Sequence, residues 1–234
     1  MKRSSLLSSK TRMAFMIACS SIMLFASCSK KNDIQPEPVG EAKVRYINAS
    51  YGALAQDFYI NGVKKSITPL AYGNTSEYFT ILSGANSFNV NDAGTTTANA
   101  STQVQISIAD KLSIFYYKNT DGNLTFAFLP DAASTPPAGK ANVRFINFNS
   151  TLNGNMSITN ATLATQLIPS LAYFGVSTFF SVDAGTKFTF SASGWNTSAA
   201  YDGALVAGKT YTIWIDGNTN PANKDLLGHI FEQL

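Results

Sequence analysis

The chain has 234 residues, 45% of them apolar and only 13% charged, with a formal net charge of +3. The basic surplus is N-terminal: positions 1 to 27 hold four basic residues and no acid, so the rest carries 13 Lys and Arg against 14 Asp and Glu, a net charge of −1. A near-neutral body removes the support that the basic total gave to a nucleic-acid partner, which requires a basic patch on the folded part, and with both cysteines at or before position 28 the folded part has no disulfide to draw on.

Lys2, Arg3, Lys10 and Arg12 precede an almost wholly apolar run from Met13 to Ala26, which closes on Phe25-Ala26-Ser27-Cys28. The run is shorter than the roughly 20 residues a helix needs to cross a bilayer and reads as a cleaved export signal over 1–27. Small residues before a cysteine resemble the lipobox of bacterial lipoproteins, although Phe25 stands where that pattern prefers Leu. The resemblance implies cleavage before Cys28, lipidation of its thiol with palmitate-type acyl chains, and a membrane partner held through that anchor. Each buried methylene contributes about 0.8 kcal/mol. Ser29 is not the Asp that retains enterobacterial lipoproteins in the inner membrane, so the expected address is the outer membrane. Lys30-Lys31-Asn32 followed by a single Asp33 leaves surface-facing and periplasm-facing orientations both open.

From Cys28 to Glu41 the chain is polar, with Pro36 and Pro38, and reads as an extended tether. Beyond it the pattern has period two. Phe58 and Ile60, Phe88 and Val90, Val104 with Ile106 and Ile108, Leu112 with Ile114 and Tyr116, and Leu124 with Phe126 and Phe128 each alternate with other residues, as half-buried strands do. Asn61-Gly62, Asp121-Gly122 and Asp216-Gly217 read as hairpin turns, because the second residue must take a positive φ.

The first strand is written twice: Ala42-Lys43-Val44-Arg45-Tyr46-Ile47-Asn48 returns 99 residues later as Ala141-Asn142-Val143-Arg144-Phe145-Ile146-Asn147. Leu70-Ala71-Tyr72 returns as Leu171-Ala172-Tyr173, and Gly84 as Gly185. The expected organisation is all-β: one β-sandwich over 42–133, a Pro/Gly linker over 134–140, and a second sandwich over 141–234, with six or seven strands in each.

Asn48-Ala49-Ser50, then Asp57-Phe58-Tyr59-Ile60-Asn61-Gly62, then Leu70-Ala71-Tyr72-Gly73 and Gly84 resemble the domain of unknown function 4397 family. The second copy departs from the pattern, with Asn147-Phe148-Asn149 in place of the Asn-Ala-Ser step and Thr159-Asn160 in place of the Asn-Gly turn. The resemblance implies an exported, often lipid-anchored, immunoglobulin-like or transthyretin-like sandwich of the kind frequent in Bacteroidota. It supplies no catalytic residue.

The residues themselves point the same way. His229 is the one histidine, no nucleophile-elbow motif occurs, and the acids Asp121, Asp202 and Asp216 each precede Gly, where a turn explains them. No catalytic residue, metal set or cofactor is therefore assigned. Asp216-Gly217-Asn218-Thr219-Asn220 resembles the start of a calcium loop but lacks its closing Glu. Trp195, in a loop of small residues, and Tyr201 are the candidate ligand-binding aromatics; they stack on a glycan or protein partner or else pack down on the fold. Arg45 and Arg144 recur at the same strand position, with Asp57 the expected partner of Arg45. The expected role is non-enzymatic: binding, adhesion or an accessory part at the cell envelope. Glycan binding through loop aromatics and a periplasmic scaffold are the alternatives.

Overall fold

Period-two patterning becomes sixteen strands in the computed structural model, which describes residues 38–131, 135–217 and 224–233. The export signal, Cys28 and the tether up to position 37 lie outside the described residues. The first half holds β1 (Glu41–Asn48), β2 (Gln56–Ile60), β3 (Val63–Lys64), β4 (Phe79–Leu82), β5 (Gly84–Asp92), β6 (Ala98–Ile106), β7 (Lys111–Lys118) and β8 (Leu124–Pro130). The second holds β9 (Lys140–Asn147), β10 (Met156–Asn160), β11 (Thr165–Leu171), β12 (Phe180–Asp183), β13 (Lys187–Ala192), β14 (Tyr201–Asp202), β15 (Thr210–Gly217) and β16 (Leu226–Gln233). That is eight strands in each half where six or seven were expected; the additions are short, β3 and β14 spanning two residues each.

Each half forms two four-stranded sheets, ordered β4-β1-β7-β8 and β3-β2-β5-β6 in the first, β12-β9-β15-β16 and β11-β10-β13-β14 in the second. The orders are the same strand for strand. Even the one parallel pairing repeats in register, Lys43 opposite Lys111 in β1–β7 and Asn142 opposite Thr210 in β9–β15. Asn61 and Gly62, both with positive φ, make the two-residue turn between β2 and β3 that the Asn-Gly pair predicts.

Alternation places Val44, Tyr46, Phe58, Phe88 and Ile114 between the two sheets of the first half, where Tyr46 stacks on Phe58 with ring centroids 3.8 Å apart. Phe145, Ile158, Phe188, Phe190 and Ile213 fill the second sandwich. Each such side chain taken from water contributes about 1.5–3 kcal/mol, which lets the fold stand without a disulfide.

β1, β7, β9 and β15 are buried on both faces over most of their length, a pattern that a lone two-sheet sandwich does not produce. A third apolar cluster explains it. Ile47, Phe115 and Tyr117 from the β1 sheet meet Ile146, Phe148, Trp214 and Phe231 from the β9 sheet. The two inner sheets therefore pack face to face, and Val39–Leu234 is one compact unit of four stacked sheets. Trp214, which the alternation puts on the opposite face from Ile213 and Ile215, belongs to this contact.

Candidate functional site

At the end of β1 the buried Asn48 organises a loop. Its side-chain amide donates to the carbonyls of Leu54 and Leu70, and its Oδ1 accepts from Ser50 N. Gln56 continues the frame by donating to Leu54 O and to Asp92 Oδ1, both at 2.8 Å. Asn99 then donates to Gln56 Oε1 at 3.0 Å and to Asp92 Oδ1 at 2.7 Å. These bonds hold the 50–54 loop above the ends of β5, β6 and β7. Between them lies a cavity of about 270 Å3, lined by Ser50, Tyr51, Asp92, Asn99, Tyr116 and Lys118 with Gly52, Ala53, Leu54 and Leu124. Behind its wall two hydroxyls are fully buried: Ser50 Oγ makes no hydrogen bond, and the Tyr116 phenol meets the Asn99 amide. Burial pushes the Tyr116 phenol up to about 12. A native fold seldom leaves a buried hydroxyl unpaired unless water or a ligand serves it.

A smaller cavity, about 50 Å3, opens beside the first where the two sandwiches meet; Tyr51 and Lys118 line both. Its far wall is Phe148, Asn149 and Asp216, and Asn149 Nδ2 is another buried group that makes no hydrogen bond. An apolar recess of about 290 Å3, bordered by Tyr46, Phe58, Leu70 and Phe79, lies elsewhere on the first sandwich.

Two polar clusters clamp the interface between sandwiches. In one, Asp131 accepts from Arg45, Ser113 and Tyr78 on Oδ2, at 3.2, 2.6 and 2.5 Å, and from Arg144 and Gln233 on Oδ1, both at 3.2 Å. Each arginine also crosses to the other sandwich, Arg45 Nη1 donating to Glu232 O at 2.7 Å and Arg144 Nη1 to Pro130 O at 2.8 Å. Burial pulls the Arg144 guanidinium below its ordinary value, and Asp131 opposes that shift. In the other cluster, the Tyr72 hydroxyl donates to Asp216 Oδ2 at 2.6 Å and lies 2.9 Å from His229 Nε2. The His229 ring stacks on Trp214 with centroids 3.8 Å apart. Burial, and then the Asp216 carboxylate, push the Tyr72 phenol far above its usual value. Gly73 is required here twice over, for its φ of 85° and because a Cβ would sit 3.1 Å from His229 Nδ1.

A family model described as "Domain of unknown function (DUF4397)" matches residues 42–159, half of the chain, covering the first sandwich and the opening strands of the second. The chain belongs to the DUF4397 family. No curated protein matches it. Solved structures to which this DUF4397 chain is similar include the family 26 carbohydrate-binding module from Eubacterium rectale Amy13K, with 14% identity over 81% of this chain and 96% of that one and a TM-score of 0.26. A putative cell adhesion protein from Bacteroides uniformis has 12% identity over 85% and 99%, with a TM-score of 0.25. The tip fimbrial protein Mfa3 from Porphyromonas gingivalis has 11% identity over 83% and 100%, with a TM-score of 0.23. Likenesses of this degree carry no functional weight.

In the DUF4397 chain the aromatics singled out from sequence stand in the second sandwich, and among the described residues no ring contact joins them. Trp195 is half-buried against the core of its own sandwich, its indole over Gly217 and beside Asn149. Tyr201 is half-buried on Phe190, with ring centroids 5.7 Å apart, and burial pushes its phenol up to about 12, Asp202 adding to the shift. Asp216-Gly217 is no hairpin turn: Gly217 ends β15 without a positive φ, and its role is to admit the Trp195 ring. The Asp216 carboxylate is turned to Tyr72 and His229, while positions 218–220 of the calcium-like stretch lie outside the described residues. Asp57 is not the partner of Arg45. It pairs with Lys64 at 2.7 Å on the outer sheet, because Arg45 points from β1 into the interface, where Asp131 waits. Ser50, Asn99, Tyr116 and Lys118 were missed; the Asn-Ala-Ser step was visible, but which later strands it faces was not.

Proposed function

We propose that this protein is a non-enzymatic lipoprotein of the cell envelope, anchored in the outer membrane through acylated Cys28 and acting as a binding or adhesion module. The observation that carries the binding reading is the cavity at the rim of the first sandwich, a pre-formed hollow walled by the partly exposed Tyr51, Asp92, Asn99 and Lys118. The anchor reading rests on the basic and apolar N-terminal run ending in Ala26-Ser27-Cys28.

The histidine supports a structural rather than a catalytic part for itself, since its ring is stacked on Trp214 and tied to Tyr72 within the sandwich contact. Metabolic labelling with an alkyne analogue of palmitate tests the anchor. Label should enter the wild-type chain and vanish in Cys28→Ala; equal labelling of both removes the lipoprotein reading. Protease shaving of intact cells, with a periplasmic marker as control, then tells an outward-facing adhesin from an inward-facing module.

A further inference from the structure

A strand at the margin of a sheet leaves every second backbone N–H and C=O without a strand partner, and folded proteins ordinarily blunt such margins with charge, proline or brevity. Most margins here are blunted in that way. β3 and β14 span two residues each, and β4 and β12 four. β11 contains Pro169, β16 carries His229 and Glu232, and β8 is buried or half-buried until it stops at Pro130. β6 is the exception. It runs for nine residues at the margin of the outer sheet of the first sandwich, and its ladder with β5 is regular from Ala100 to Ile106. No residue from Thr95 to Ala109 is charged or a proline. Among the described residues, no loop bonds to the backbone of β6 from its outer side. The corresponding margin of the second sandwich, β14, is cut to Tyr201–Asp202 and bears the Lys187–Asp202 ion pair at 3.0 Å. One copy of this edge is closed to strand pairing and the other stands open.

Resting on the adhesion reading above, we infer that β6 pairs antiparallel with β6 of a second copy of this chain, joining two outer sheets across a two-fold axis. Two copies that offer the same edge meet isologously, so each side chain faces itself or a near neighbour of its own kind. A charge on such an edge would face its like, and β6 has none. Its exposed residues are Ser101, Gln103 and Gln105, whose hydroxyl and amides both donate and accept and so can satisfy their own copies. The direction of pairing also fixes where the two molecules stand. The Ile106 end of β6 lies beside the entry of the chain into the fold, where Ala109 N donates to Glu41 O at 2.8 Å and Ile108 leaves no room for a Cβ on Gly40. The Ala98 end is about 27 Å away at the rise of a strand. An antiparallel pair therefore sets the two entry points at opposite ends, which fits copies held on two facing membranes rather than side by side on one. One strand on another is a small contact, so each pair is weak and adhesion comes from many acting together.

Sedimentation velocity on the mature chain from position 28, carrying Cys28→Ala, should show a concentration-dependent dimer. Gln103 and Gln105 are exposed, so charging them leaves the core intact, and circular dichroism checks the fold. Gln103→Lys/Gln105→Lys should dimerise about tenfold more weakly, as should Gln103→Glu/Gln105→Glu, because like charges then meet across the axis. Mixing the two variants should restore association, since each then meets its opposite. A chain that stays monomeric up to about 1 mM overturns the proposal, as do Lys and Glu variants that each self-associate at wild-type strength. The facing-membrane arrangement is read with the acylated chain in phosphatidylcholine vesicles, the Lys variant in one population and the Glu variant in another. Clustering is expected on mixing and in neither population alone; dimers in solution with vesicles that stay dispersed overturn that arrangement. If the chain fails to float with the vesicles, the anchor reading fails and the facing-membrane arrangement with it, while sedimentation still decides the β6 pair.

Discussion

Arg45 and Arg144 hold opposite oxygens of one carboxylate, each guanidinium 3.2 Å from Asp131. The arginines are equivalent in the repeat, but their shared acid is not: the residue aligned with Asp131 at the end of the second sandwich is Gln233, which itself donates to Asp131. A pair of cations on a buried anion is stable only while the anion remains. Asp131→Asn is therefore expected to cost about 3–5 kcal/mol in urea unfolding. Replacing all three by apolar residues (Arg45→Met, Arg144→Met, Asp131→Leu) should cost less than Asp131→Asn alone, because no unpaired charge is then left buried. A triple variant less stable than the single one would refute this account of the clamp.

The Tyr72 and Tyr173 side chains, equivalent in the repeat, give a paired control. Tyr72 makes one short bond to Asp216 and lies beside His229, whereas the Tyr173 hydroxyl reaches Lys118 O, at 3.4 Å and exposed. Tyr72→Phe strips a buried carboxylate of a donor and should lose about 1–3 kcal/mol. Tyr173→Phe should stay within about 0.5 kcal/mol of wild type. Thermal unfolding of the two variants side by side decides it; equal losses would mean that the Tyr72 bonds contribute nothing specific.

Gly217 and Trp195 make a prediction about fluorescence. A Cβ at position 217 would collide with both Asn149 Nδ2 and the Trp195 ring, and the neighbouring Trp214 is fully buried in the sandwich contact. In Gly217→Ala the indole of Trp195 should lift from the core, giving a red-shifted emission and a loss of about 1–3 kcal/mol from overpacking. An unchanged spectrum would show that the ring has another place to rest.

What sequence could convey here was whatever repeats locally. Alternation located β2, β5, β7 and β8, and Asn61-Gly62 fixed a turn, because both signals depend on near neighbours. The clamp was invisible for the opposite reason: Asp131 lies 86 residues from Arg45, and Tyr72 lies 157 from His229. Asp57, closer in sequence, was the natural but mistaken choice for Arg45. Asp216-Gly217 misled because a glycine after an acid signals a turn in isolation, while in the fold the missing side chain makes room for Trp195. The rim cavity was illegible because its walls come from five separated stretches that only the sheet register brings together.

Asp57 nonetheless makes the fold sensitive to acid. Burial alone would raise its carboxyl, but the Lys64 ammonium, the Gly94 N–H and the Ser66 hydroxyl together hold it below the ordinary carboxylate range. A group whose folded pKa is depressed contributes stability above its unfolded pKa, about 3.9, and that contribution disappears as pH falls through the folded value. Asp57→Asn retains a side chain able to face Ser66 and Gly94 but cannot ionise. Wild type should therefore exceed Asp57→Asn in urea midpoint at pH 7, and the two curves should converge as pH drops below about 4. Because Lys64 is 43% exposed while Asp57 is 2% exposed, added salt should narrow the gap at pH 7 only in part. A gap that stays constant from pH 7 to pH 2 would place the loss in packing rather than in the ionised carboxylate.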